Sequence, residues 1–249
     1  MSQSTRLPDS LHSLRLPLIV CFDPVELEFL HKGFQVSRTA DVPGGRSPLF
    51  IGAFEGKPAC LLRLPFGDRP AALTAALQNT LAWIRPECLI AVGTVMACDT
   101  ELCVGDLVAP RTVYHTEGPV AATESLLELI SHGTLHTRPV HLVDSLTTGT
   151  FVQTPAAAVR LRESFPGIAV IEMEDAWLGR FAGRAGIPWV ALRAVSDYGD
   201  FAEHKKNLPA ILPGVVACLR RFLRALRLRT GMEISPNPSF RLPYGISLR

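Results

Sequence analysis

Apolar residues in this 249-residue chain come in short unbroken runs separated by stretches of helical spacing. That is the pattern of strands buried on both faces alternating with helices. Residues 16–22 form the first run. Asp23-Pro24-Val25-Glu26 follows, with an acceptor, a proline and a glutamate three residues after the acceptor, which predicts a helix opened by a capping box. Residues 48–54 and 58–64, divided by Glu55-Gly56-Lys57, predict a hairpin. Gly67-Asp68-Arg69-Pro70 opens a helix through Leu81, and 88–95 is an apolar strand interrupted by Gly93-Thr94. A further strand runs from the Val104-Gly105-Asp106 segment to Tyr114-His115. Residues 126–130 predict a helix, and 141–146 a strand ending in the turn Thr147-Thr148-Gly149-Thr150.

Residues 167–197 read as strand, helix, strand. One apolar run, 167–171, ends in Glu172-Met173-Glu174-Asp175; a helix extends to Gly186; a second run, 187–195, ends in Ser196-Asp197. The expectation is a βαβ unit whose parallel strands bring Glu174 and Asp197 to one crevice at the sheet's edge. The last helix, interrupted by Pro213, carries Val215, Leu219, Phe222, Leu223 and Leu226 on one side and Arg220, Arg221, Arg224, Arg227 and Arg229 on the other. The fold class expected is α/β, a three-layer sandwich with a central mixed sheet flanked by helices.

An apolar share of 47% suits a substantial core, and no linker or repeat divides the middle of the chain. One domain over 16–229 is expected, between an N-terminal arm of 1–15 and a Pro-rich, aperiodic tail of 230–249. A net charge of only +2 argues against nucleic acid as a partner. The six cysteines show no C-x-x-C pair and no zinc-like spacing, so neither metal nor cofactor is expected and the thiols belong to a reducing environment. With no apolar stretch of membrane-spanning length and no signal-like start, a cytoplasmic protein is the expectation. The arginine face of the last helix reads as solvated, contact with a membrane surface being the lesser reading.

Each carboxylate has a bland explanation beside the functional one. Glu26 completes a capping box, Glu174 and Asp175 suit a helix's first turn, and Asp197 before Tyr198-Gly199 suits a turn. Gly93-Thr94 at a strand end permits close backbone approach of a ligand, or simply packing. Phe151 reads as core or as a stacking platform. What shifts the balance is the company these residues keep.

Two motifs, Ile171-Glu172-Met173-Glu174 and Arg193-Ala194-Val195-Ser196-Asp197, at this separation resemble those of the nucleoside phosphorylase and nucleosidase superfamily, particularly the methylthioadenosine/S-adenosylhomocysteine nucleosidases. The resemblance extends over about 16–229. It implies Asp197 as the acid protonating the leaving base and Glu26 as the group activating water. It implies Glu174 on the ribose hydroxyls, Met173 against the sugar, and Phe151 and Val152 at the base, with Ser196, Gly93 and Thr94 completing the substrate contacts. The activity implied is hydrolysis of the N-glycosidic bond of a purine or purine-like nucleoside, in a homo-oligomer, a dimer first. Phosphorolysis is the alternative, but phosphorylases of this type place an arginine where Ala91 stands here. A non-catalytic nucleoside-binding module is the rival from another class. Val95-Met96-Ala97-Cys98 replaces the family's usual Ala-Gly-Gly, and Asp175 and Trp177 stand where small residues are common, which points to an atypical substrate.

Overall fold

The computed structural model describes residues 15–67, 69–131 and 139–230, the side chains of 227–230 excepted. Residues 1–14 of the expected N-terminal arm, Asp68 of the loop before Pro70, residues 231–249 of the expected tail, and the side chains of Arg227 and Arg229 lie outside the described residues, while Arg15 opens the first strand and Thr230 ends the last helix.

In chain order the elements are β1 (Arg15–Cys21), α1 (Pro24–Lys32), β2 (Phe34–Ala40), β3 (Leu49–Phe54), β4 (Lys57–Arg63), α2 (Pro70–Leu81), β5 (Arg85–Ala97) and β6 (Leu107–Tyr114). They continue as β7 (Val120–Ala121), α3 (Glu124–Ser131), β8 (Val140–Thr147), α4 (Pro155–Ser164), β9 (Val170–Glu172), α5 (Asp175–Ala185), β10 (Trp189–Asp197) and α6 (Phe201–Thr230). The sheet is mixed and ordered β10-β6-β8-β9-β5-β1-β4-β3-β2. Helices α1, α3 and α6 pack together, as do α2 and α5, so helices flank a central mixed sheet as expected.

One half of that sheet does more than lie flat. β10 pairs with β6 at one end of the order and also with β5, so β5, β9, β8, β6 and β10 close into a ring. Each of the five contributes a valine, Val95, Val170, Val143, Val108 and Val195, to one buried cluster that fills it. β-branched side chains alternating inward suit a small, tightly curved sheet.

The segment expected as a parallel βαβ unit is built differently. β10 runs parallel to β5, with Arg193 opposite Gly93, whereas β9 runs antiparallel to β5 through Met96 and Ala97 alone. Ring closure is the reason: along one side β5 pairs with β1 as far as Ala91 and then with β9 through its last two residues, while β10 follows its other side from Leu89 to Met96. Both strand ends still reach one site. β2 carries no apolar run because it is an edge strand, buried only at Phe34 and Ala40. The last helix is not interrupted at Pro213: α6 runs through Pro209 and Pro213, both on its exposed side, where water can take the carbonyls each proline leaves unbonded.

α5 offers a paired test of packing against propensity. A Cβ at Gly179 would lie 2.5 Å from Trp189 Cζ2 and 2.6 Å from Val120 Cγ1, whereas at Gly183 nothing lies within 4 Å. Helix propensity favours alanine over glycine by about 1 kcal/mol at either site, but overpacking against a fixed indole costs about 1–3 kcal/mol. Gly179→Ala is therefore expected to lower stability and Gly183→Ala to raise it, read as opposite shifts in urea midpoint.

Candidate functional site

The strand ends around the closed ring open onto a cavity of about 580 Å³. Eight of the nine candidate residues, Glu26, Thr94, Phe151, Val152, Met173, Glu174, Ser196 and Asp197, line it. Gly93 lies beneath it. A Cβ there would stand 2.5 Å from both Arg193 Nη1 and Glu26 Oε1, so any side chain at this position would displace both groups. Phe66 and Phe201 line the cavity while 40% and 50% exposed, which puts them at its mouth.

Backbone N–H groups hold each of the three carboxylates in place. Glu26 Oε2 accepts from the Phe22 and Asp23 backbone N–H groups at 3.1 Å, and Asp23 caps the helix in return through Val25 N at 2.7 Å. Its other oxygen accepts from Thr94 N at 3.1 Å, binding α1 to the end of β5. Asp197 Oδ1 accepts from Gly199 N at 2.8 Å and Asp200 N at 3.3 Å, the turn expected of it. Its Oδ2 accepts from or shares a proton with Ser196 Oγ at 2.7 Å. Glu174 Oε1 accepts from Gly67 N at 3.2 Å, tying the loop before α2 to the start of α5. All three side chains are buried, at 5%, 1% and 5% exposure for Glu26, Asp197 and Glu174. The capping and turn explanations of Glu26 and Asp197 are therefore correct, and they orient the two groups rather than replace them.

Several groups that shape the site carry little signal in the sequence. Glu172, not Glu174, caps α5: its Oε2 accepts from Glu174 N at 2.5 Å and Asp175 N at 2.6 Å. Thr147 Oγ1 donates to Glu172 Oε1 and accepts from Ala176 N at 3.0 Å. Arg193, 2% exposed, forms a two-point ion pair with Asp175, through Nε to Oδ2 at 3.3 Å and Nη2 to Oδ1. His204, in the first turn of α6, sits beside Ser196 and Asp197. Its nearest sequence signal is proximity to the Ser-Asp pair, obscured by Lys205 and Lys206.

Of the departures expected to alter the substrate pocket, Val95 and Met96 do line the cavity. Asp175 and Trp177 are not among its described lining residues. Asp175 neutralises Arg193, and the Trp177 ring stands behind the rim, 2.9 Å and 2.8 Å from where Cβ atoms at Gly67 and Gly149 would be.

Burial dominates the electrostatics. It raises the Glu26 carboxyl above its usual range, opposed chiefly by Arg193, and raises Glu172 well above it, reinforced by Asp175. Burial likewise pushes Glu174 up to about 8 against the attraction of Arg193. The described residues form no cluster suited to a metal ion. No helix among them is long and apolar enough to cross a membrane.

Against known proteins, residues 18–224 match the family model of the phosphorylase superfamily. A 5'-methylthioadenosine/S-adenosylhomocysteine nucleosidase of Marinomonas sp. (strain MWYL1) is 30% identical, over 59% of this chain and 71% of the relative. The nucleosidase of that name from Neisseria meningitidis, solved in complex with methylthio-immucillin-A, superposes with a TM-score of 0.75 at 20% identity, covering 85% of this chain and all of that one. Native futalosine hydrolase of Helicobacter pylori strain 26695 superposes with a TM-score of 0.71 at 16% identity, over 88% and 99% of the two chains.

The Glu174 carboxyl makes stability depend on pH. An ordinary glutamate titrates near 4.5 and this one near 8, so between those values the folded chain holds a proton that the unfolded chain has lost. Its contribution is then greatest below the lower value and is lost as pH rises through the upper one. Glu174→Gln removes that loss. Thermal melts from pH 5 to 8 are expected to show the variant gaining on the parent as pH rises, with a slope of at most about 1.4 kcal/mol for each step of one in pH; a pH-independent difference contradicts the protonated carboxyl.

Proposed function

The chain belongs to the phosphorylase superfamily, and from that premise we propose that it hydrolyses the N-glycosidic bond of a purine or purine-like nucleoside. The observation that carries the reading is that Glu26, Glu174 and Asp197, far apart in sequence, line one cavity, each carboxylate held by backbone N–H groups.

Breaking an N-glycosidic bond develops positive charge on the sugar and negative charge on the departing base. A proton donor at the base and carboxylates about the sugar both lower that barrier. Asp197 is the donor: its tethered Oδ1 fixes the carboxyl plane, and Oδ2 carries the proton toward the leaving nitrogen. Glu26 takes a proton from the attacking water, its Oε1 held at the end of β5 beside Arg193. Glu174 accepts from the ribose hydroxyls, and Met173 packs on the sugar, while Phe151 and Val152 meet the base. The pairing of an acid and a base across the scissile bond follows the logic of glycosidases.

Water rather than phosphate is favoured as the second substrate by the charge around the cavity. Ala91, where phosphorylases of this kind place an arginine, is fully buried in β5. Among the described lining residues Arg193 is the one guanidinium or ammonium group, and Asp175 already engages it in a two-point pair. A phosphate dianion needs cations converging on it, and the one cation among those residues is already paired.

The test is free-base release from a nucleoside panel with and without phosphate. Base is expected without phosphate, accompanied by free sugar; strict phosphate dependence with sugar 1-phosphate as product would replace hydrolysis by phosphorolysis. Asp197→Asn is expected to keep the fold and lose about 10²–10⁴-fold in kcat, the usual worth of a positioned acid, and turnover at the parent rate would remove Asp197 from the mechanism.

A further inference from the structure

Asp197 and Ser196 are each 1% exposed, so an acid that loses its proton at every turnover stands out of direct reach of solvent. The His204 side chain is 14% exposed and bridges that gap. Its Nδ1 lies 3.1 Å from Ser196 Oγ and 3.5 Å from Asp197 Oδ2. The ring is fixed by aromatic neighbours, stacked at 11° on Phe201 and edge-on to Phe151 with centroids 5.7 Å apart.

Counting protons shows why this is more than packing. Ser196 Oγ has three partners: Val95 O at 3.0 Å, Asp197 Oδ2 at 2.7 Å and His204 Nδ1 at 3.1 Å. A serine hydroxyl donates one hydrogen bond and accepts two, and a carbonyl only accepts. When the hydroxyl donates to Val95 O, the contact with Asp197 is satisfied by a proton on Oδ2, the form that can protonate a base. When Asp197 is ionised, the hydroxyl turns to it, and His204 Nδ1–H donates to Ser196 or Asp197. In both arrangements Nδ1 carries a proton; the hydroxyl can donate to a bare Nδ1 instead only when Asp197 is itself protonated and donates to Ser196, so loss of the Nδ1 proton goes with gain of one by the acid.

We propose that His204 is the positioning and proton-delivering partner of Asp197, returning a proton to it through Ser196 after each departure of the base. The inference rests on the hydrolase reading. The protons balance. Asp197 loses one to the base. The imidazolium gives its Nδ1 proton to the Ser196 hydroxyl as that hydroxyl passes its own to Asp197 Oδ2. The imidazole then regains from bulk water the proton that Glu26, having taken it from the attacking water, releases there. Around the ring, the 148–154 segment across from it holds no titratable side chain, its own helix and cap bring Asp200, Glu203, Lys205 and Lys206, and Asp197 is the carboxylate whose oxygen stands 3.5 Å from Nδ1. Asp200 is occupied in capping Ala202 N and Glu203 N, and Lys205 lies over the Phe201 ring.

Two measurements test this. In NMR spectra, with the His204 ring identified by its loss in His204→Gln, its Nδ1 resonance is expected to move in Asp197→Asn, because the carboxylate oxygen 3.5 Å from it is lost. An unmoved resonance overturns the proposal. In kinetics, His204→Gln is compared on a nucleoside and on 4-nitrophenyl β-riboside, whose phenolate departs without protonation. The ratio of kcat on the first to kcat on the second is expected to fall about tenfold or more, in line with the worth of proton transfer, and the alkaline limb of the nucleoside profile to shift. Equal losses on both substrates, the mark of a merely structural histidine, overturn it. If the parent protein releases no base at all, the hydrolase reading fails by itself, and the NMR arm still decides whether the two groups interact.

Discussion

One buried guanidinium stands among four buried carboxylates. Arg193 pairs with Asp175, and Glu26, Glu172 and Glu174 lie close enough for its charge to lower the proton affinity of each. Removing one partner of such a pair strands the other charge and typically costs about 3–5 kcal/mol. Much of the local sequence is explained by keeping the arrangement intact. The β10–β5 register sets Arg193 opposite Gly93, where a Cβ would collide with both the guanidinium and the Glu26 carboxylate. Closure of the ring holds β9 and β10 on either side of β5, so that Asp175 at the start of α5 meets Arg193.

The single positive charge does not neutralise the group. Burial wins over the Arg193 attraction at Glu26, Glu172 and Glu174, and their carboxyls are raised. A nucleoside whose hydroxyls donate into the cavity would supply the hydrogen bonds that ionised carboxylates need there. Gathering these acids costs folding stability that such a ligand would return, the usual relation between stability and function at sites of this kind.

How far this is legible in the sequence follows from where each signal lies. The role of Glu26 at a cap can be read because a capping box is local, spanning Asp23 to Glu26. Its second oxygen cannot, since Thr94 is 68 residues away. Glu174 and Asp197 are legible as strand-end acids, and their common cavity survives although the strands are not a parallel pair. Ring closure is hidden because β5 reads as one apolar run whether it serves two neighbours or three. Glu172 is concealed for a similar reason: a helix's first turn attracts any acid, and only the backbone geometry at Glu174 makes the residue two positions earlier the cap. β2 escapes detection because an exposed edge strand has no apolar period.

The departures from the family pattern divide along the same physical line. Asp175 belongs with Arg193, and Trp177 braces the Gly67 and Gly149 segments from behind, so neither fills the site. Met96 lines the cavity and packs on Leu146 and Ile171, so it takes volume beside the strand ends. The opening is framed by Phe66 and Phe201, large apolar surfaces left half in water. Polar demand is therefore concentrated at the carboxylates and apolar surface at the mouth. A ligand that satisfies both presents its hydroxyls to the carboxylates and an apolar face to the two phenylalanines, because water released from them favours burial there by about 25 cal/mol per Å².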